Sequence, residues 1–114
     1  MKFEEYLSSL RGKSVAVIGI GPVGLMSVAG AALRGAAEIF AVGSRPVTRR
    51  LAKEFGADDT VDYHDAPFTQ QLMELTGGKQ FDCVIIAGGE PTVFNDALSI
   101  CKYNGTVANL AGHG

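Results

Sequence analysis

At 114 residues and a formal net charge of −2 at pH 7, the chain is the size of one domain and lacks the basic excess of a nucleic-acid binder. Apolar residues make up 46% and charged residues 19%, ordinary values for a globular protein with enough apolar side chains for one core. The opening MKFEEYLSSL carries acids and no apolar run, so it does not read as a signal peptide, and the expected setting is cytoplasmic.

In chain order, Phe3, Tyr6, Leu7 and Leu10 fall at helical spacing. Residues 1–13 therefore read as a short amphipathic helix and linker ahead of a domain over 14–114. SVAVIG (14–19) reads as a strand, and PVGLMSVAGAALRG (22–35) as a helix with Pro22 in its first turn and Gly35 at its end. Val15 to Leu33 holds no charge and is long enough to span a bilayer. Yet it contains four glycines and a proline, β-branched residues first and alanines later. A strand, a glycine turn and a buried helix explain that change of character; a membrane span does not.

EIFAVG (38–43) is the second strand and VTRRLAKEFG (47–56) the second helix. DTVDY (59–63) is the third strand, followed by a helix over 67–78 with Phe68, Leu72 and Leu75 on one face. FDCVIIAG (81–88) is the fourth strand, 91–105 a helix and TVANLAG (106–112) the fifth strand. The strands are near-continuous apolar runs alternating with helices, the pattern of a parallel sheet covered on both faces. The expected fold class is α/β, a Rossmann-type three-layer open parallel sheet of five strands in the order 3-2-1-4-5. A six-stranded dinucleotide fold would need one strand more.

GIGPVG (19–24) lies between a strand and a helix, the context a dinucleotide turn requires. Gly19 suits the tight turn, Gly21 the approach of backbone to pyrophosphate, and Gly24 close packing of helix on sheet. Pro22 has no N–H, so Val23 and Gly24 are the expected phosphate donors at the helix N-terminus. About twenty residues on, NAD sites carry an acid after the second strand. Here GSRP (43–46) stands instead. Gly43 removes the acid's repulsion, Ser44 offers a hydroxyl, and Arg45 offers a planar cation suited to a 2′-phosphate. Arg49 and Arg50 read as a solvated helix face adding positive potential.

Together VAVIGIGPVGLMSVAGAALRGA, GSRP, FGADD, VDY, ELTGGKQFDCVIIAGG and NGTVANLAGHG resemble the coenzyme domain of the medium-chain zinc-containing alcohol dehydrogenases, most narrowly the NADP-dependent secondary-alcohol enzymes. The resemblance implies NADP(H) as cofactor, with zinc held in a separate catalytic domain that this chain lacks. It matches Gly19, Gly21 and Gly24 to the pyrophosphate turn and Gly43, Ser44 and Arg45 to the 2′-phosphate pocket. It adds Tyr63 to that pocket, Ala87, Gly88 and Gly89 near the nicotinamide side, and Leu110 near the reactive end. Neither Cys83 nor Cys101 matches a zinc ligand, and both read as free buried thiols. His64 and His113 read as surface histidines.

The function expected is NADP(H) binding for a zinc-dependent secondary-alcohol dehydrogenase, with no catalytic residue in this chain. A separate catalytic domain, or a second copy joined along the open sheet edge, is the expected macromolecular partner. The alternative is a stand-alone nucleotide-binding or structural, self-associating fragment. A complete small enzyme finds no support: Asp62, Asp65 and Glu90 are strand-end acids, and Asp65 reads as a helix cap. A methyltransferase would want an acid where GSRP stands.

Overall fold

The computed structural model describes residues 9–111. β1 (Ser14–Ile18), β2 (Glu38–Gly43), β3 (Asp59–Asp62), β4 (Phe81–Ile86) and β5 (Cys101–Asn109) form one parallel sheet in the order β3-β2-β1-β4-β5. The four connections run through α1 (Pro22–Leu33), α2 (Pro46–Phe55), α3 (Phe68–Thr76) and α4 (Val93–Ile100). The strand order and class are those expected.

Alternation along the strands divides the core into two layers. Val15, Val17, Ile39, Ala41 and Ile85 meet Val28 and Ala31 of α1 and Ala52 of α2 on one face. Ala16, Ile18, Phe40, Val42, Val84 and Ile86 meet Leu72 of α3 and Ala97 and Ile100 of α4 on the other. Phe40 and Phe81 meet edge to face on that second side, their ring centroids 5.9 Å apart. Both faces of the central strands are therefore covered, which is why their sequences do not alternate.

Several elements differ from expectation. The helix expected to run to residue 105 ends at Ile100, and β5 begins at Cys101. Cys101 pairs with Phe81 and Thr106 with Cys83, so five positions along β5 span two along β4. The surplus is taken up by an irregularity over Lys102–Asn104, all exposed. Asn104 and Gly105, expected at the end of that helix, instead end this excursion. A β-carbon on Gly105 would lie 2.7 Å from both the Asp82 carbonyl oxygen and Cys101 Sγ.

The helix of 22–35, expected to be buried, is covered on one side only. Gly24, Ser27, Val28 and Ala31 face the sheet, while Met26 and Leu33 are exposed. In α3 the buried face is Phe68, Leu72 and Met73; Leu75 is exposed. Asp65 does not cap α3, whose N-cap is Pro67 without a side-chain bond. Gln71 serves the turn instead, donating Nε2 to the carbonyls of Asp62 at 2.6 Å and Ala66 at 2.9 Å. Phe3, Tyr6 and Leu7 of the expected N-terminal helix lie outside the described residues. Leu10 lies in a turn with its side chain fully buried in the first core layer.

Candidate functional site

The chain leaves β1 and turns to β2 on one side and reaches β4 on the other, so the C-terminal ends of β1 and β4 splay into a crevice at a topological switch point. A cleft of about 430 Å³ occupies this place. Its wall includes Gly19 and Gly21 from the first turn, Gly43, Ser44 and Arg45 from the second, Tyr63 beyond β3, and Gly88 and Gly89 beyond β4. Four separate loops thus bring together eight residues singled out in the sequence.

The first turn is close-packed. Gly19 has φ +95°, and a β-carbon there would lie 2.7 Å from the Gly88 nitrogen. A β-carbon on Gly24 would overlap the carbonyl oxygen of Gly19, so only glycine lets α1 start this close beneath the turn. The first bond of the helix runs from Leu25 N–H to Gly21 O at 2.9 Å. The N–H groups of Val23 and Gly24 precede it and point out of the helix end with the positive end of its dipole. Pro22 occupies the first helical position, where a missing N–H costs nothing.

The second turn departs from β2 with Gly43 and enters α2 through Arg45, which is exposed and occupies the N-cap position. The Arg45 carbonyl accepts Thr48 Oγ1 at 3.1 Å and Arg49 N–H at 3.0 Å, fixing the start of α2. Its guanidinium has no protein partner among the described residues. The corner carries no carboxylate from β2. Tyr63 is half-exposed and its ring lies against His64, centroids 4.4 Å apart.

Five expected residues, Pro22, Val23, Gly24, Ala87 and Leu110, stand at the margin rather than in the wall. Ala87 sits under the turn, its N–H bonded to Ile18 O at 2.8 Å, and Leu110 packs against the first core layer with its N–H on Ile86 O at 2.7 Å. The wall also contains Ile20, Thr48, Phe68, Glu90 and Val93, none named as site residues from sequence. Thr48 could have been found, since it lies three residues beyond Arg45 on the first turn of a helix. Phe68 and Val93 are the first residues of α3 and α4 and reach the cleft from distant sequence, and no local signal marks them.

Cys83 and Cys101 are buried thiols outside any disulfide, on opposite core layers, and burial lifts the Cys101 thiol above its ordinary range. Among the described residues no three His, Cys, Asp or Glu side chains gather as a metal site. The residues at hand therefore do not fit a zinc centre. Among the described residues, no helix is long and apolar enough to cross a membrane.

The sequence profile of the zinc-binding dehydrogenases matches residues 22–114. The chain belongs to that family, as a coenzyme-binding domain of the zinc alcohol dehydrogenases. Over 99 residues it is 57% identical to an NADP-dependent isopropanol dehydrogenase of Thermoanaerobacter brockii, covering 87% of this chain and 28% of that protein. An isopropanol dehydrogenase of Clostridium beijerinckii, also NADP-dependent, is 48% identical over 103 residues, with 90% and 29% covered. A zinc-binding dehydrogenase from Sinorhizobium meliloti, solved bound to NADP, superposes with a TM-score of 0.87 at 29% identity, covering 97% of this chain and 34% of that one. The chain thus spans less than a third of the length of the two isopropanol dehydrogenases.

Proposed function

We propose that the chain binds NADP(H) for an NADP-dependent secondary-alcohol dehydrogenase. The pyrophosphate would lie on the Gly19–Gly24 turn and the N–H groups of Val23 and Gly24, with the adenosine 2′-phosphate on Ser44 and Arg45 and beside Tyr63. The observation that carries this reading is one cleft joining a helix N-terminus to a guanidinium that no acid among the described residues engages. The cleft fits the group: its floor is glycine backbone where phosphate approaches, and its far corner is cationic. The bound cofactor supplies a hydride acceptor and donor. The residues of this chain bind it, orient it and select its phosphate. Ala87, Gly88, Gly89 and Leu110 would border the nicotinamide side. Zinc and alcohol would be held by a catalytic domain outside these residues. Two buried cysteines outside any disulfide suit a cytoplasmic setting.

Calorimetric titration with NADP⁺ and NAD⁺ tests the reading. NADP⁺ binds more tightly to the chain, and Arg45→Asp abolishes the preference, because about 1.5–3 kcal/mol is at stake in each charge-assisted bond. Equal affinities in the unsubstituted chain would refute the pocket assignment.

A second reading adds self-association to cofactor binding. It is favoured by the outer edge of β5, which no strand among the described residues pairs and where Tyr103 is fully exposed. Sedimentation equilibrium shows a dimer if a second copy pairs there, and a monomer at all concentrations removes it.

A further inference from the structure

Arg49 does not belong to a solvated face. It is half-buried between α2 and β3, its Nη2 3.8 Å from Asp62 Oδ2, and its Nε is buried without a hydrogen-bond partner among the described residues. Asp62 is the register partner of Gly43 across the β2–β3 pair. A carboxylate therefore does stand beside the corner from which β2's own acid is missing, displaced by one strand. Neither Arg49 nor Asp62 lines the cleft, whereas their neighbours Gly43, Thr48 and Tyr63 do.

The backbone explains why Asp62 is there. Its Oδ1 accepts the His64 N–H at 2.9 Å, and its carbonyl accepts the Asp65 N–H at 3.1 Å and Gln71 Nε2. These bonds make the turn that presents Tyr63 to the cleft. None of them needs a negative charge, since an amide oxygen would accept the same N–H. The charge itself works against a phosphate at Ser44–Arg45.

We propose that Arg49 is a specificity-determining positioning residue: as the counter-ion of Asp62 it cancels the acid beside Gly43 and keeps the Ser44–Arg45 corner selective for a 2′-phosphorylated nucleotide. This rests on the reading of that corner as a phosphate site. Arg45 and Arg50, both exposed, are the other cations of the α2 start, and Lys53 is 3.7 Å from Asp59 further along. Among the described residues, Arg49 is the one of these cations paired with Asp62.

The test measures NADP⁺ and NAD⁺ affinities by calorimetry at low and high salt. It compares the chain with Arg49→Met, Arg49→Lys, Asp62→Asn and the double variant Arg49→Met/Asp62→Asn. Arg49→Met weakens NADP⁺ binding about tenfold and leaves NAD⁺ unchanged, an effect that shrinks in salt. Asp62→Asn keeps the acceptor for His64 and holds or raises NADP⁺ affinity. The double variant returns to within about threefold of the parent. Arg49→Lys retains the preference.

An unchanged NADP⁺/NAD⁺ ratio in Arg49→Met overturns the proposal. So does a double variant as weak as Arg49→Met, which would make Arg49 a direct ligand or a purely structural residue. Should Arg49→Met not fold, a fall in NADP⁺ affinity in Asp62→Asn, or in the Arg49→Lys ratio, has the same force. If Arg45→Asp loses the preference while Arg49→Met keeps it, only this inference fails. If the parent does not discriminate, the phosphate reading itself fails.

Discussion

The side chain of Ile20 fills the space that a β-carbon on Gly43 would occupy, its Cδ1 2.6 Å from that point. Residues from the first and second turns of the cleft thus pack directly on each other. Ile20 is 4% exposed, so the contact belongs to the core as well as to the site. Gly43 therefore does more than omit an acid: its missing side chain is where the first turn rests.

Gly43→Ala should accordingly cost about 1–3 kcal/mol of stability, the usual range for overpacking. Combined with Ile20→Ala, the two losses should sum to less than the separate costs, because each change makes room for the other. Urea unfolding of the four proteins in the cycle measures this. Strict additivity would show that the contact carries no strain.

Two glycines of the first turn should separate folding from binding. At Gly24 a β-carbon meets the backbone oxygen of Gly19, which cannot rotate away, so Gly24→Ala should cost about 3 kcal/mol or more. At Gly21 φ is −72° and nothing lies within 4 Å of the added atom. Gly21→Ala should change stability by no more than about 0.5 kcal/mol. It should still weaken NADPH binding about tenfold or more by holding the pyrophosphate off the backbone. Fluorescence titration of NADPH reads the second effect. A Gly21→Ala chain that binds as tightly as the parent would move the phosphate elsewhere.

Away from the cleft, Asp82 joins β4 to β1 and β5. Its carboxylate accepts the Ser14 N–H and hydroxyl at 2.9 and 3.2 Å and Lys102 Nζ at 2.9 Å. The Ser14 backbone bond holds its carboxyl below the ordinary value of 3.8, against the pull of partial burial, and Lys102 adds to the lowering. A depressed folded value means the contribution is complete above the unfolded value and is lost as pH falls through the folded one. Asp82→Asn should thus be less stable than the parent at pH 6, with the difference closing below the ordinary value of 3.8. Thermal unfolding across this range checks the sign; a gap that widens toward acid would contradict it.

Much of the cleft was readable along the chain because its key residues are tied to local geometry. A glycine turn between an apolar strand and a helix, and a corner after the next strand, are each set by a few consecutive residues. The start of β5 was not readable, because Lys102–Asn104 form neither a regular helix nor a regular ladder. Their course is imposed by the pairing of Cys101 with Phe81 and Thr106 with Cys83. Asp65 reads as a cap by composition, yet Gln71 reaches back to the same turn and serves its carbonyls.

Residue order alone was enough for the class, the strand sequence across the sheet, the glycine turn and the cationic corner, since hydrophobic run length and turn chemistry are local properties. Folding in three dimensions settled what lies beside that corner. Ile20 against Gly43, and Arg49 with Asp62 one strand over, depend on parallel register between segments far apart in the chain. Register comes from burial of the whole sheet, which no single stretch encodes.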